Sequence, residues 1–258
     1  MLYLPYLLNG KSALAQHKEH YSGSIMNMPL PANTEGLPIN KTAAKFRRAT
    51  IGSEPPVLTD IYQEDVNIAI WQRGLSNQLQ TVVASLLSVH PSLELSINAA
   101  PKAIPTHLID LLGNLNIDSA KASVLVEDVT NLANMFCYLF DLKRTGLRLT
   151  ALNKAMCPRF HVDRIPARLV TTYSGVATQW LAHEHVDRNM LGAGNKGLAD
   201  DVSGLYLQDS DVQQLNTGDV AILKGEYWEG NEEAGLVHRS PEVIGDHPRL
   251  LLTLDFMA

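Results

Sequence analysis

His161 and Asp163 stand two residues apart in MCPRFHVDRIPARLVTTYSG, residues 156–175, a stretch that reads as strand through Phe160, Val162 and Ile165 and again from Leu169 to Tyr173. Alternate side chains of a strand share a face, so an imidazole and a carboxylate project together into one space. A second imidazole on that face would complete a donor set for a divalent transition metal with coordination positions left open. Seventy-five residues beyond Asp163, the strand-like run GLVHRSP supplies it as His238. Eleven residues later Arg249 opens the closing apolar run. A buried guanidinium beside a metal offers a two-pronged fork to a carboxylate.

These residues need a scaffold that brings distant strands together. Past Gly146 the hydrophobic period is two: Leu147, Leu149 and Ala151 alternate with Arg148, Thr150 and Leu152. Further strands are expected over 161–173, after the Gly218-Asp219 turn as far as Gly225, over 236–239 and over 249–256, separated by Gly, Asp and Pro turns. Such runs imply a sandwich or jelly roll over 146–258. The stretch from Trp180 to Gln214 reads mainly as a long loop, a length usually functional or disordered.

Before this, residues 56–145 read as a mainly helical region packing on the core. Val66, Ile68 and Ile70 suggest a short strand or extended arm. Leu75, Leu79, Val82, Val83, Leu86 and Leu87 then recur at helical spacing, with Ser76 placed to start the helix and His90-Pro91 to end it. A shorter helix is expected over 107–112, and a long one over 119–142 with Cys137 as a core thiol. Residues 1–55, with Pro29, Pro31, Pro38, Pro55 and Pro56, read as a weakly ordered extension. The basic run from Lys41 to Arg48 reads as a solvated face or a short exposed helix.

At 258 residues the chain can bury a full core. Its formal net charge of -6 argues against a basic nucleic-acid footprint and favours a small substrate. Two cysteines, Cys137 and Cys157, make no disulfide framework, which fits a reducing, cytoplasmic setting. Leu2 to Leu8 followed by Ala13-Leu14-Ala15 mimics a signal peptide but lacks a basic n-region, so secretion is not expected. No run approaches the ~20 apolar residues of a membrane span.

Other side chains have two readings. His183 and His185, near Glu184 and Asp187, form a second metal cluster or line the long loop. Cys157 packs, or lends a thiolate that recruits zinc. Trp180, Tyr206, Tyr227 and Trp228 wall a substrate pocket or are half-buried packing. Glu226, Glu229, Glu232 and Glu233 select an amine-bearing substrate or keep a loop solvated. Arg164 or Arg168 neutralises the Asp163 region or forms a structural ion pair.

The ordered set His161-Val162-Asp163, Gly218-Asp219 before a strand, His238-Arg239-Ser240-Pro241 and Arg249 resembles the iron(II)/2-oxoglutarate-dependent dioxygenase superfamily over about residues 147–256. FHVDRIPARLVTTY, LKGEYWEGN, GLVHRSP and RLLLTLDF are more closely similar to an uncharacterised bacterial family known only as a domain of unknown function. That likeness reaches back to Ile61-Tyr62 and Val66–Arg73 and implies no activity. The superfamily resemblance implies an α+β fold with a double-stranded β-helix (jelly roll, cupin-like) core. It also implies Fe(II) on His161, Asp163 and His238, and Arg249 on the distal carboxylate of 2-oxoglutarate, with Tyr173 or Thr171 hydrogen-bonded to that group. Tyr173 would face the site only if the strand from His161 runs unbroken through Pro166. The implied reaction is an oxygenase hydroxylation of a small molecule or a protein side chain. The competing class is a non-enzymatic zinc-binding or sensing protein using the same three ligands, since zinc binds such a set more tightly than iron.

Overall fold

The computed structural model describes residues 46–117, 119–243, 245 and 248–257. The apolar run of residues 2–8, the cleavage-like Ala13-Leu14-Ala15 and Lys41 to Lys45 lie outside them. The described chain is a mixed α+β fold with a helical region in its N-terminal half and two β-sheets.

Among the described residues ten strands form, in chain order β1 (Arg48–Gly52), β2 (Val66–Trp71), β3 (Glu94–Ala99), β4 (Thr145–Leu152), β5 (Ala167–Ser174), β6 (Gln179–Leu181), β7 (Val212–Gln214), β8 (Val220–Lys224), β9 (Val237–Arg239) and β10 (Arg249–Phe256). Seven make one sheet in the order β1-β2-β8-β5-β10-β4-β3, and β7-β6-β9 make the other. The β1–β2 pair is parallel; every other pairing is antiparallel. β2 and most of β10 are buried on both faces, which accounts for the apolar runs Ile68–Trp71 and Leu250–Leu252.

Helix α1 (Asn77–Val89) starts where Ser76 Oγ accepts the Leu79 N–H, and it buries Leu79, Val83, Leu86 and Leu87. α2 (Ile104–Asn114) carries Pro105 in its first turn, where a missing N–H costs nothing. α3 (Ser119–Phe140) buries Cys137, and burial pushes that thiol up to about 11. α3 meets one face of the large sheet: the Tyr173 hydroxyl of β5 donates to Asp128 at 2.6 Å, and Phe256 of β10 packs edge-on to Phe136.

The opposite face of the large sheet turns toward the small one. Ile68, Ile70, Val170, Ala221, Leu223 and Leu251 form one buried cluster there with Trp180 of β6 and Leu236. A cavity lined by His161, His238 and Arg249 adjoins this cluster and shares Val170 and Leu251 with it.

Strands β1 and β3 arise where the sequence pattern was read otherwise, and β6 and β7 sit at the two ends of the stretch read mainly as a long loop. β3, in a region read as helical, buries only Leu95, Ile97 and Ala99, three small steps of alternation over six residues. β1 falls within the stretch expected to be a weakly ordered extension, whereas β2 is the expected short strand, here a full sheet member rather than the alternative arm. The basic run is not uniformly solvated either. Arg47 is buried, its Nε donating to Asn231 Oδ1 at 2.7 Å and its Nη2 to the Gly230 carbonyl at 2.9 Å.

Candidate metal centre

His161 does not sit in a regular strand. It makes a single antiparallel bridge with His238 of β9, each backbone N–H donating to the other residue's carbonyl at 3.0 Å. The two rings lie 4.6 Å apart, centroid to centroid. Both imidazoles are tied at Nδ1 to the carbonyl two residues earlier, His161 to Arg159 O at 2.9 Å and His238 to Leu236 O at 3.2 Å. A carbonyl only accepts, so Nδ1 carries the proton and each Nε2 keeps its lone pair. Those Nε2 atoms face Asp163, at 3.7 Å from Oδ1 for His161 and 3.5 Å from Oδ2 for His238. The three ligand atoms lie within 4.8 Å of one another, the arrangement of a two-His, one-carboxylate facial triad. Burial pushes the His238 imidazole well below its usual range, so it is neutral and available as a donor at neutral pH.

Asp163 is held from behind. Arg168 Nη1 donates to its Oδ2 at 2.8 Å, while Arg168 Nε donates to Asp255 Oδ1 at 2.6 Å. Arg148 Nη2 reaches the other oxygen of Asp255 at 2.7 Å. The loop carrying Asp163 is fixed by close backbone approach: Gly225 N–H donates to Pro166 O and Glu226 N–H to Asp163 O, both at 2.9 Å. A Cβ on Gly225 would stand 2.1 Å from Ile165 O, and one on Gly235 would stand 2.4 Å from Val162 Cγ1.

Arg249, 1% exposed, shares a cavity with His161 and His238. Its Nη1 donates to Ser240 Oγ at 2.8 Å, and its Nη2 to Thr178 Oγ1 at 2.8 Å and Thr172 Oγ1 at 3.3 Å. Its Nε is buried without a partner. Among the described residues no carboxylate pairs with it. Burial lowers its pKa to about 10, so it stays charged at neutral pH.

Tyr173 and Thr171 turn away from this cavity, contrary to the expectation that one of them would bond the same carboxylate as Arg249. Tyr173 points at Asp128, which also takes a bidentate pair from Arg73 at 2.6 and 2.9 Å, and Thr171 Oγ1 is 3.5 Å from Gly218 O. The cavity side of β5 presents Arg168 and Val170. The segment from His161 to Pro166 is irregular, so parity counted from His161 does not carry into β5.

Of the remaining candidates, Cys157 lines the cavity but stands outside the three-ligand cluster. His183 and His185 build no second cluster among the described residues; His185 Nδ1 lies 3.4 Å from Asp211 Oδ1, and burial followed by Arg188 lowers the His183 pKa. Trp228 packs on Tyr62, Phe140 and Lys224, and Tyr206 on Phe160. Neither these aromatics nor the glutamates between 226 and 233 line the cavity. Arg168, not the exposed Arg164, is the neutralising arginine. The hydroxyls that hold Arg249 and the glycines that shape the Asp163 loop had no signal in the sequence beyond their neighbourhood to the motifs.

The fold and site together define a mixed α+β protein with a His-x-Asp…His facial-triad arrangement beside a buried, unpaired arginine. The chain belongs to the family described as Protein of unknown function (DUF1826), whose profile matches residues 52–255. No curated protein sequence matches it. Among solved structures, it is similar to the Arabidopsis thaliana dioxygenase for auxin oxidation 1 in complex with 2-oxoglutarate, at 9% identity and a TM-score of 0.47 over 83% of this chain and 93% of that one. The rice dioxygenase for auxin oxidation aligns at 11% identity and a TM-score of 0.45, over 82% and 83% of the two chains. A Pseudomonas putida prolyl-4-hydroxylase aligns at 9% identity and a TM-score of 0.40, over 78% and 98%. Among the described residues no helix is long and apolar enough to cross a membrane.

Proposed function

We propose that this protein is an Fe(II)- and 2-oxoglutarate-dependent oxygenase, with His161, Asp163 and His238 as the metal ligands and Arg249 as the anchor for the distal carboxylate of 2-oxoglutarate. The observation that carries this reading is Arg249: a buried guanidinium with an orphaned Nε and no carboxylate partner among the described residues, in the cavity that both imidazoles enter. A buried cation without a counter-ion is costly unless a ligand supplies the charge, and a metal store has no use for it.

The donor set fits the metal. Two neutral imidazole nitrogens and one carboxylate oxygen converge within 4.8 Å, and both imidazoles border the cavity. Iron bound there would supply oxygen activation, coupled to decarboxylation of the co-substrate, for oxidation of a substrate C–H bond. The protein's part is positional. The carbonyls of Arg159 and Leu236 hold the imidazole tautomers, Arg168 holds the carboxylate, and Ser240, Thr172 and Thr178 aim the Arg249 fork. We read the two facing sheets as the halves of a double-stranded β-helix formed mainly by residues 146–258, with β1 to β3 extending the larger half. Two free cysteines, Cys137 and Cys157, accord with a cytoplasmic setting.

The test is anaerobic loading with Fe(II) followed by 2-oxoglutarate. A weak visible absorption band from the iron chelate is expected, with succinate released on admission of oxygen. Tight zinc binding with neither band nor succinate would instead leave a metal-binding protein.

A further inference from the structure

We infer that the substrate of this site is a small organic acid, and that Arg148 at the open end of the cavity receives its carboxylate. This deepens the oxygenase reading and rests on it for the identity of the site.

The chain as a whole carries a formal net charge of -6, yet Arg148, Arg168, Arg239 and Arg249 all line one cavity whose wall, among the described residues, contains no Asp or Glu. The acids behind that wall are each shared between two arginines. Asp255 takes Arg148 and Arg168, and Asp200 takes Arg159 at 2.8 Å and Arg239 at 3.7 Å. Asp163 is the other acid on Arg168, and its charge is spent once it ligates a divalent metal. The walls therefore hold more positive charge than the described acids neutralise, and Arg249 accounts for only one anion.

The arginines differ in freedom. Arg168 is fully engaged by two carboxylates, and Arg239 by Gln179, Asp200 and the face of Phe160. Arg148 has one firm partner, Asp255, a long 3.4 Å contact to Thr253 Oγ1, and a side chain 50% exposed. It stands opposite Thr253 on the neighbouring strand, four residues along β10 from Arg249. At about 3.4 Å per residue the two backbones are roughly 13 Å apart along the sheet, so the buried and exposed guanidiniums serve different anions. Leu251, Val170, Thr150 and Thr253 line the cavity between them, a mixed apolar and hydroxyl surface suited to a short carbon skeleton. With the Asp163 charge committed to the metal, Arg148 and Arg168 share the one carboxylate of Asp255, which leaves about one uncompensated charge, a match for a carboxylate rather than a phosphate dianion.

The probes are benzoate, phenyl phosphate, benzylamine and benzyl alcohol, titrated by calorimetry into the full chain held anaerobically with Fe(II) and saturating 2-oxoglutarate. Benzoate is expected to bind, phenyl phosphate more weakly, and the amine and alcohol not at all. Arg148→Gln should weaken benzoate by roughly tenfold or more, the loss of one charge-assisted contact, while leaving the iron–2-oxoglutarate band in place. Arg148→Lys should recover part of the affinity. The inference is overturned if benzylamine or benzyl alcohol binds as well as benzoate, if phenyl phosphate binds better, if 2-oxoglutarate simply displaces benzoate, or if Arg148→Gln binds benzoate like the parent. Should the iron–2-oxoglutarate band itself fail to form, the oxygenase reading falls. Benzoate titration of the metal-free parent and Arg148→Gln proteins then decides the Arg148 site by the same comparison.

Discussion

His161 and His238 are joined through their backbones as well as brought together by their side chains: each N–H donates to the other's carbonyl at 3.0 Å, across 77 residues of sequence. Two residues directly opposite in an antiparallel bridge project to the same side, so the bridge puts both imidazoles on one side, and the Nδ1 contacts to Arg159 O and Leu236 O turn their Nε2 atoms to Asp163. Replacing Asp163 or His238 by Ala is expected to abolish tight binding of Co(II), measured by anaerobic calorimetry, with the folded far-UV spectrum retained. Undiminished binding in either variant would remove these residues from the ligand set.

Arg168 should act on metal affinity without touching the metal. It fixes Asp163 Oδ2 at 2.8 Å and is itself braced by Asp255. Outer partners of metal ligands typically contribute about 10–100-fold in affinity, and Arg168→Ala is expected to weaken Co(II) within that range. Arg168→Lys should recover part of it, because it restores a charge but not the fork that spans two carboxylates. A merely structural arginine would lower the unfolding midpoint without changing the metal affinity of the folded protein.

Tyr173→Phe should leave the iron–2-oxoglutarate band unchanged and lower stability in urea by about 1.5–3 kcal/mol, the range for a hydrogen bond to a charged group. Its hydroxyl serves Asp128, together with Arg73, in joining α3 to β5 and to the Gly218 turn. Loss of the band in this variant would restore Tyr173 to the co-substrate site.

Tyr173 also marks the limit of what the sequence made legible. Sheet-forming runs with strong alternation or continuous burial, β4, β8 and β10, stand in the pattern itself, as does the helix capped by Ser76. The three candidate ligands that converge and the arginine beside them could be singled out because few polar types can do such chemistry. Parity was lost where His161–Pro166 leaves regular strand geometry, because no local residue preference records how an irregular segment rejoins a sheet. The partners of Arg249 were hidden for a different reason. Thr172, Thr178 and Ser240 are ordinary hydroxyls whose role exists only once three separate segments meet. β3 escaped because its inward residues, Leu95, Ile97 and Ala99, make a short and weak alternation.

Gly225 gives a test of the loop that carries Asp163. A methyl group there would stand 2.1 Å from Ile165 O and 2.7 Å from Asp163 O, and backbone cannot yield as a side-chain tip does. Gly225→Ala is expected to displace residues 163–165 and to weaken Co(II) by roughly tenfold or more, comparable to loss of an outer partner. Gly74→Ala, where nothing lies within 4 Å of the added carbon, is the control expected to leave affinity unchanged.

Lys224 gives a pH test away from the metal. It is buried at the end of β8, with Nζ donating to Gln63 O at 3.0 Å and lying 4.9 Å from the Trp228 ring centroid. Burial, and then Arg47, lower its pKa from the ordinary 10.5 to about 8. Between those values the unfolded chain binds the proton and the folded chain does not, so stability rises with pH across that window. Below pH 8 the ammonium is charged in both states and the cost of burying it is felt in full. Lys224→Met removes the titrating group while keeping an unbranched apolar stem. The urea midpoint of the parent, relative to this variant, is therefore expected to climb from pH 7 to pH 10. A constant difference between the two would mean that Lys224 titrates in the folded protein as it does in the unfolded chain.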